Sequence, residues 1–162
     1  MSGASNRRRG HDAERHVVAY LKDHGFPDAV TTRNTGGAGG RQVGDVAFTP
    51  GVSLEVKDVA VRAWPSWLRQ AAEQAEERIP VVVHRIRGVR DVGRWPCALP
   101  WDRWFDDLDG ELVTRVFGAP AGDYDWLLNI HIAPVVAHRR KGAPLVAVMR
   151  FATFVDAVRS DR

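Results

Sequence analysis

Two carboxylates and a lysine at short spacing are the residues of this chain best suited to chemistry: Asp45, Glu55 and Lys57. Two neighbouring carboxylates repel each other, and a divalent cation between them offsets that cost. Mg²⁺ prefers such oxygen ligands and keeps several waters, one of which becomes acidic enough to attack a phosphodiester. The ammonium group of Lys57 can hold the attacking water or stabilise the negative charge that develops on the phosphate. Together these residues predict metal-assisted phosphodiester hydrolysis.

A β-hairpin is the element that must bring these side chains together. The sequence predicts strands over residues 44–48 and 52–57, because the Pro-Gly sequence between them is a strong turn signal. A tight hairpin centred near residue 50 brings Asp45 to within about one residue of the position opposite Glu55, where Cβ atoms are about 5 Å apart. Glu55 and Lys57 are two residues apart and therefore share one face of the second strand.

Two helices are predicted to flank this hairpin. Apolar residues at helical spacing predict the first helix over residues 11–24, with Asp12 as its N-cap. Glu14 lies at the border of its buried stripe, and a first-turn carboxylate alone is commonly only a partner of the helix dipole. The second helix, over residues 65–78, is amphipathic and carries Gln70 outside its apolar face.

A glycine-rich loop, NTGGAGGR, occupies residues 34–41 between a β-prone segment at residues 29–33 and the predicted hairpin. It is not a phosphate-binding P-loop, because no Gly-Lys-Ser/Thr follows it and no helix opens after it. Glycines allow a backbone to approach another molecule closely, and a flexible surface loop is the alternative interpretation. A further buried strand is predicted over residues 80–86.

The composition favours one intracellular globular domain with an anionic partner. The 162 residues carry 23 basic and 20 acidic side chains, and only three of the basic residues are lysines. The arginine excess fits a polyanion. A lone cysteine excludes an intramolecular disulfide and a multi-cysteine zinc site. No apolar run is long enough to span a bilayer, and no apolar segment follows the N-terminal arginines as in a signal peptide. We therefore expect a cytoplasmic protein without a membrane partner.

The chain is predicted to divide into a flexible basic arm over residues 1–10, a core over residues 11–88 and an extension over residues 89–162 packed on the same domain. The arm is either a solvated tail or a contact to phosphates through its three arginines. Within the extension, residues 133–142 match residues 79–88 at six of ten positions, and a strand and a short helix are predicted after each copy. Chance similarity between two β-strands is the alternative to a duplication.

The order of these elements resembles the PD-(D/E)xK nuclease superfamily: Glu14 on a helix, Asp45 on a strand, Glu55-x-Lys57 on the next strand, then a helix with Gln70. More narrowly, the sequence RGHDAER at the start of the first helix and HGF at its end are similar to archaeal-type Holliday junction resolvases. Resolvase-like proteins of phages share the Gly-Asp that follows a glycine-rich loop. The resemblance covers roughly residues 7–88.

The resemblance implies a restriction-endonuclease-like α/β fold, with a central mixed sheet flanked by helices. It also implies a homodimer that cuts branched DNA, in particular four-way junctions, with Mg²⁺ as cofactor and Mn²⁺ as a substitute; a phage protein of this kind would act in the host cytoplasm. Glu14, Asp45 and Glu55 would be catalytic and metal-binding residues, and Lys57 the catalytic lysine. The DNA contacts would be Arg7, Arg8, Arg9, Arg33, Thr35, Arg41 and Gln70.

Two departures from the family pattern stand out. Gly44 precedes Asp45 where the superfamily has proline, and Thr35 is the only hydroxyl in a loop that often supplies a catalytic serine. A restriction-type or repair endonuclease of the same fold is the alternative function, and a non-catalytic DNA-binding module is a further one. The tryptophans are expected in the core or at a dimer interface, and His84 is expected to be structural.

Overall fold

The computed structural model describes residues 3–32, 44–60, 63–100, 136–138 and 146–160. Within these residues the helices are α1 (Gly3–Asp23), α2 (Trp64–Ala75) and α3 (Phe151–Ser160). The strands are β1 (Val30–Thr31), β2 (Val46–Ala47), β3 (Val52–Lys57), β4 (Ile79–His84), β5 (Pro96–Pro100), β6 (Val136–His138) and β7 (Val146–Arg150). A short 3₁₀ helix, Val92–Arg94, precedes β5.

The described strands form one mixed sheet in the order β1-β2-β3-β4-β5-β7-β6. β3 and β4 run parallel and all other neighbours run antiparallel. Parallel strands need a crossover connection, and α2 supplies it between β3 and β4. The register pairs Lys57 with His84, so the C-terminal ends of both strands lie side by side. The predicted α/β architecture, a mixed sheet flanked by helices, is confirmed.

The two faces of the sheet carry separate cores. On β4, Val81 and Val83 belong to the larger cluster with α1 and α3, whereas Val82 belongs to a smaller cluster under α2. Because side chains alternate across a strand, the two clusters lie on opposite faces. α2 therefore covers one face, and α1 and α3 cover the other.

The four strands β4, β5, β7 and β6 pair in a pattern that is the same on both sides of the β5–β7 pair. Val82 pairs with Ala98 between β4 and β5, and Val136 pairs with Val148 between β6 and β7. The central strands join these pairs, because Ala98 is opposite Val148. Val82 and Val136 are also equivalent in the two copies of the sequence repeat. The repeated strands thus occupy matching positions, while the short helix predicted after the first copy, at residues 101–108, lies outside the described residues.

α1 begins earlier than the sequence predicts. The flexible arm expected over residues 1–10 is wrong for residues 3–10, which form the first turns of the helix. Arginine is a good helix former, so the turns upstream of Asp12 continue the helix, and Asp12 pairs with exposed Arg15 instead of capping it. None of the helices in the described part of the chain has the length and apolar character that crossing a membrane requires.

Candidate active site at the β2–β3 hairpin

The hairpin holds Asp45 against the segment of β3 that carries Glu55, within about one residue of the position opposite Glu55, as the turn position predicts. Val46 pairs with Leu54, and Asp45 directly precedes Val46. The backbone of Asp45 is held by its amide, which donates to the Leu54 carbonyl at 2.7 Å. Its carboxylate is held too, because the Val56 amide donates to Asp45 Oδ2 at 3.0 Å. The backbone of the opposite strand thus fixes the orientation of the Asp45 side chain.

Gly44 has a conformation that explains why proline is absent there. Its φ is 69°, in the left-handed region, whereas the proline ring holds φ near −65°. A Cβ atom on Gly44 would lie 2.7 Å from the Leu54 carbonyl oxygen and 3.0 Å from its amide nitrogen. Glycine is therefore required both by the backbone angle and by the close approach of β3. The departure from the superfamily pattern follows from the geometry of this turn.

Lys57 is in direct contact with Glu55. Its ammonium donates to Glu55 Oε1 at 2.8 Å, and the two side chains are only 16% and 11% exposed. A charge-assisted hydrogen bond with this little solvent is stronger than an ordinary surface ion pair. The amide oxygen of Gln70, on α2, accepts from the same Lys57 Nζ at 3.4 Å. Gln70, predicted as a DNA contact, thus lies beside the candidate catalytic lysine.

Three buried carboxylates are contributed by the elements that the sequence predicts for them. Glu14 on α1 is 4% exposed, Asp45 before β2 is 8% exposed and Glu55 on β3 is 9% exposed. Burying an ionised carboxylate is costly unless partners stabilise it, and such groups concentrate at functional sites. Glu14 precedes the core residue Val17 by one turn, and α1 packs against β3. Because α1 begins at Gly3, Glu14 lies well beyond the first turn, where a carboxylate interacts with the helix dipole.

The metal assignment stays a prediction. Among the described residues, no group of three or more His, Cys, Asp or Glu side chains is arranged to hold a metal ion. Mg²⁺ in phosphoryl-transfer sites commonly uses one or two carboxylates together with waters and substrate phosphates. Asp45 and Glu55, on adjoining segments of the hairpin, fit that smaller donor set, because both supply hard oxygen ligands. Glu14 remains a candidate ligand on the sequence pattern alone.

The C-terminal ends of β3 and β4 carry further polar and charged groups near Lys57. His84 is 3% exposed and its Nε2 lies 2.9 Å from the Val59 carbonyl oxygen. Since a carbonyl only accepts, this nitrogen carries the proton, and the ring ties the two strand ends together. The Asp58 carboxylate receives Arg85 Nη1 at 3.3 Å and faces Arg87 Nε at 3.8 Å. The expected structural role of His84 fits this bond.

Apart from Gln70, the predicted DNA contacts lie either on α1 or outside the described residues. Arg7 and Arg8 are exposed on α1 and Arg9 is half-buried. Arg7 precedes Glu14 by seven residues, which is two helical turns, so both lie on the same side of α1 about 10 Å apart along its axis. Arg33, Thr35 and Arg41, together with the glycine-rich loop, lie outside the described residues.

Comparison of the chain with known protein families, with curated proteins and with solved structures found no match.

Proposed function

We propose that this protein is a metal-dependent DNA endonuclease on a restriction-endonuclease-like fold, and that its substrate is branched DNA such as a four-way junction. The observation that carries the proposal is the contact set at the β2–β3 hairpin. There the Val56 amide, next to Glu55 in the chain, holds Asp45 Oδ2 at 3.0 Å, Glu55 binds Lys57 at 2.8 Å, and all three side chains are largely withdrawn from solvent. The resemblance to junction resolvases, in which these positions carry catalysis, supplies the class of substrate.

Lys57 is the residue that would act on the scissile phosphate. Its ammonium is a compact point charge at the end of a strand, held from one side by Glu55 and from another by Gln70. Held there, it can stabilise the negative charge that develops on the phosphate oxygens and can orient the attacking water. Glu55 and Gln70 therefore position the lysine, so that little reorganisation is needed when the phosphate arrives.

Asp45 and Glu55 would hold Mg²⁺, because they supply two hard carboxylates at one place and because Asp45 is oriented by the Val56 amide. When bound, the ion lowers the pKa of a water and neutralises charge on the phosphate. Buried Glu14 adds negative charge on the α1 side, where it would favour cation binding. The described residues fit the ion through their donor chemistry.

DNA would be held by its backbone and shape, with little reading of bases. Arg7 and Arg8 are exposed and lie on α1, the helix that carries Glu14. Arg87 is 56% exposed and follows β4, which pairs with β3. A homodimer would present two such sites to two opposed strands of a junction. Paired cuts on opposite strands are therefore the expected product.

The test compares a labelled synthetic four-way junction with linear duplex and flap DNA of the same sequence, with Mg²⁺ and with EDTA. We expect metal-dependent, symmetric nicking of the junction and at least about tenfold slower cutting of the linear duplex. Equal rates on all substrates would instead indicate a restriction-type or repair nuclease. Binding without cutting under any divalent metal would indicate a non-catalytic DNA-binding module and would refute the enzymatic proposal.

Two lysines offer a matched pair of variants for the same assay. Lys57→Ala removes the ammonium beside Glu55, and we expect a loss of at least about 10²-fold in cleavage rate. Lys22→Ala removes an exposed lysine in the last turn of α1 and should cleave at the wild-type rate. Junction binding, measured by gel shift, should survive in both. If Lys57→Ala cuts the junction as fast as Lys22→Ala, the assigned site is wrong.

A further inference from the structure

A concavity with several charged side chains lies between α1, the segment that contains the 3₁₀ helix and the β7–α3 junction. It has a volume of about 570 Å³, within the range of small-molecule sites. We call it the arginine cavity, because it is lined by three arginines: Arg90, Arg94 and Arg150. None of the four candidate catalytic residues lines it, so it is a separate place on the molecule.

The fold holds two of these arginines side by side. Arg150 is the last residue of β7 and pairs with Pro96 of β5. The next residue, Phe151, donates its amide to the Trp95 carbonyl at 2.8 Å, and Arg94 directly precedes that tryptophan. The 3₁₀ helix that precedes β5 and the end of β7 therefore place Arg94 and Arg150 at the same concavity. The arrangement is set by backbone pairing in the sheet and does not depend on a mobile loop.

The residues that line the arginine cavity carry an excess of positive charge. Three arginines face two aspartates, Asp23 and Asp91, which leaves one positive charge when the lining histidines are neutral. Asp91 also has a structural role, since its Oδ1 accepts a hydrogen bond from the Gly93 amide at 3.0 Å and caps the 3₁₀ helix. Burial and then the nearby charge of Arg94 lower the pKa of Arg150, while Asp91 raises it. Arg94 and Arg150 therefore lie close enough for their charges to interact, and the excess positive charge of the lining favours an anionic ligand.

The remaining wall adds hydrogen-bonding groups in fixed orientations. The Tyr20 ring stacks on His24 with centroids 3.9 Å apart, and His24 Nδ1 lies 2.7 Å from the Tyr20 carbonyl oxygen and donates to it. Tyr20 is packed against Gly93, where a Cβ atom would lie 2.7 Å from its hydroxyl oxygen. The aromatic wall is therefore held in place by the backbone of the 3₁₀ helix.

We infer that the arginine cavity binds a phosphate group, carried either by a free nucleotide or by the end of a nucleic-acid strand. Guanidinium groups match phosphate oxygens through paired hydrogen bonds, and a terminal phosphate carries close to two negative charges for several donors to share. The inference goes beyond the proposed nuclease activity and does not depend on it.

The test is isothermal titration calorimetry of the full chain with inorganic phosphate, at an ionic strength held constant with chloride and without divalent metal. We expect saturable binding that is at least about tenfold weaker in Arg90→Gln and in Arg150→Gln. Arg90 is exposed, so its substitution leaves folding intact even if the Arg150 variant is unstable. Arg78→Gln is the matched control, because Arg78 is an exposed arginine that lines a different cavity beside Asp28.

The outcomes separate cleanly. Equal phosphate affinity in wild type, Arg90→Gln and Arg78→Gln, or heats no larger than those of chloride, would overturn the inference. Competition experiments with bound phosphate then distinguish the two sources of the phosphate group. Deoxyadenosine monophosphate, compared with deoxyadenosine, tests a free nucleotide. A 5′-phosphorylated oligonucleotide, compared with its 5′-hydroxyl form, tests a strand end. In either case only the phosphorylated member of the pair should displace phosphate. Because Lys57→Ala leaves all of these arginines in place, failure here and failure of the nuclease proposal are distinguishable.

Discussion

The hairpin site and the arginine cavity handle charge in opposite ways. At the hairpin, groups of opposite sign contact each other: Lys57 Nζ lies 2.8 Å from Glu55 Oε1. The carboxylates there are almost completely buried. In the arginine cavity, like charges are held near one another: Arg94 lowers the pKa of Arg150, and Arg90 is exposed. The Lys57–Glu55 contact is preorganised in the free protein, whereas the cavity, with three arginines and two aspartates in its lining, keeps one excess positive charge that favours an anionic ligand. The first arrangement suits chemistry and the second suits binding.

The largest effect is expected from removing one charge at the hairpin without changing its shape. Asp45→Asn keeps an oxygen that can accept from the Val56 amide, so the turn should fold as before. The lost charge should reduce Mg²⁺-dependent cleavage of a four-way junction by about 10²-fold or more. Single-turnover kinetics, with circular dichroism as the check on folding, measures this. A cleavage rate within twofold of the wild type would remove Asp45 from the site.

The next effect concerns the backbone that supports the hairpin site. Gly44→Ala places a Cβ atom 2.7 Å from the Leu54 carbonyl oxygen at a φ of 69°, and we expect it to lower the free energy of unfolding by about 2 kcal/mol or more. Gly10→Ala is the control, because Gly10 lies inside α1 with open space where a Cβ atom would stand, and alanine there should add up to about 1 kcal/mol. Urea denaturation should therefore move the two variants in opposite directions. Equal midpoints would mean that β2 and β3 approach each other less closely at this turn.

A smaller effect is expected from titration of Tyr20 in the arginine cavity. Burial, followed by the negative charges of Asp156 and Asp91, raises the pKa of Tyr20 to about 12, from an ordinary value near 10, against the opposing effect of Arg159. The folded state then holds the phenol proton more tightly than the unfolded state, so this stability is fully present below pH 10 and is lost as pH rises towards 12. Because the ring is half-exposed, we expect about 1 kcal/mol.

Tyr20→Phe provides the control for that titration, since it keeps the ring and its stacking on His24 but has no proton to lose. Thermal unfolding between pH 9 and pH 12 should show a steeper loss of stability in the wild type than in the variant. Parallel curves would show that the Tyr20 hydroxyl is as well solvated in the folded chain as in the unfolded one.

The smallest effect separates the two regions by stability alone. Arg90→Gln removes an exposed arginine from the arginine cavity, and without phosphate its free energy of unfolding should stay within about 0.5 kcal/mol of the wild type. Lys57→Ala, in contrast, leaves the buried Glu55 without its cation and should be clearly destabilising. Chemical denaturation of both variants in phosphate-free buffer tests this. A large loss of stability in Arg90→Gln would mean that this arginine supports the fold.

Local patterns predict the hairpin site well and the arginine cavity not at all. The alternation of residues 52–57 and the Pro-Gly turn fix the strand and the register, because both signals lie within a few residues of each other. The start of α1 could not be predicted, since the arginines upstream of Asp12 suit a helix and a solvated arm equally well. Arg94 and Arg150 show no shared pattern, because they meet only through the pairing of β5 with β7. The burial of Glu14 likewise follows from the packing of α1 on the sheet.

The pairing of β5 with β7 also bears on the order in which the molecule folds. It joins segments about fifty residues apart in the chain, such as Ala98 with Val148, and contacts over long separations form slowly because loop closure costs entropy. Asp45, Glu55 and Lys57 all lie within one hairpin, a unit that forms in microseconds. During synthesis from the N-terminus, the hairpin can close well before Arg150 has left the ribosome. The arginine cavity is therefore expected to be among the last features of the chain to form.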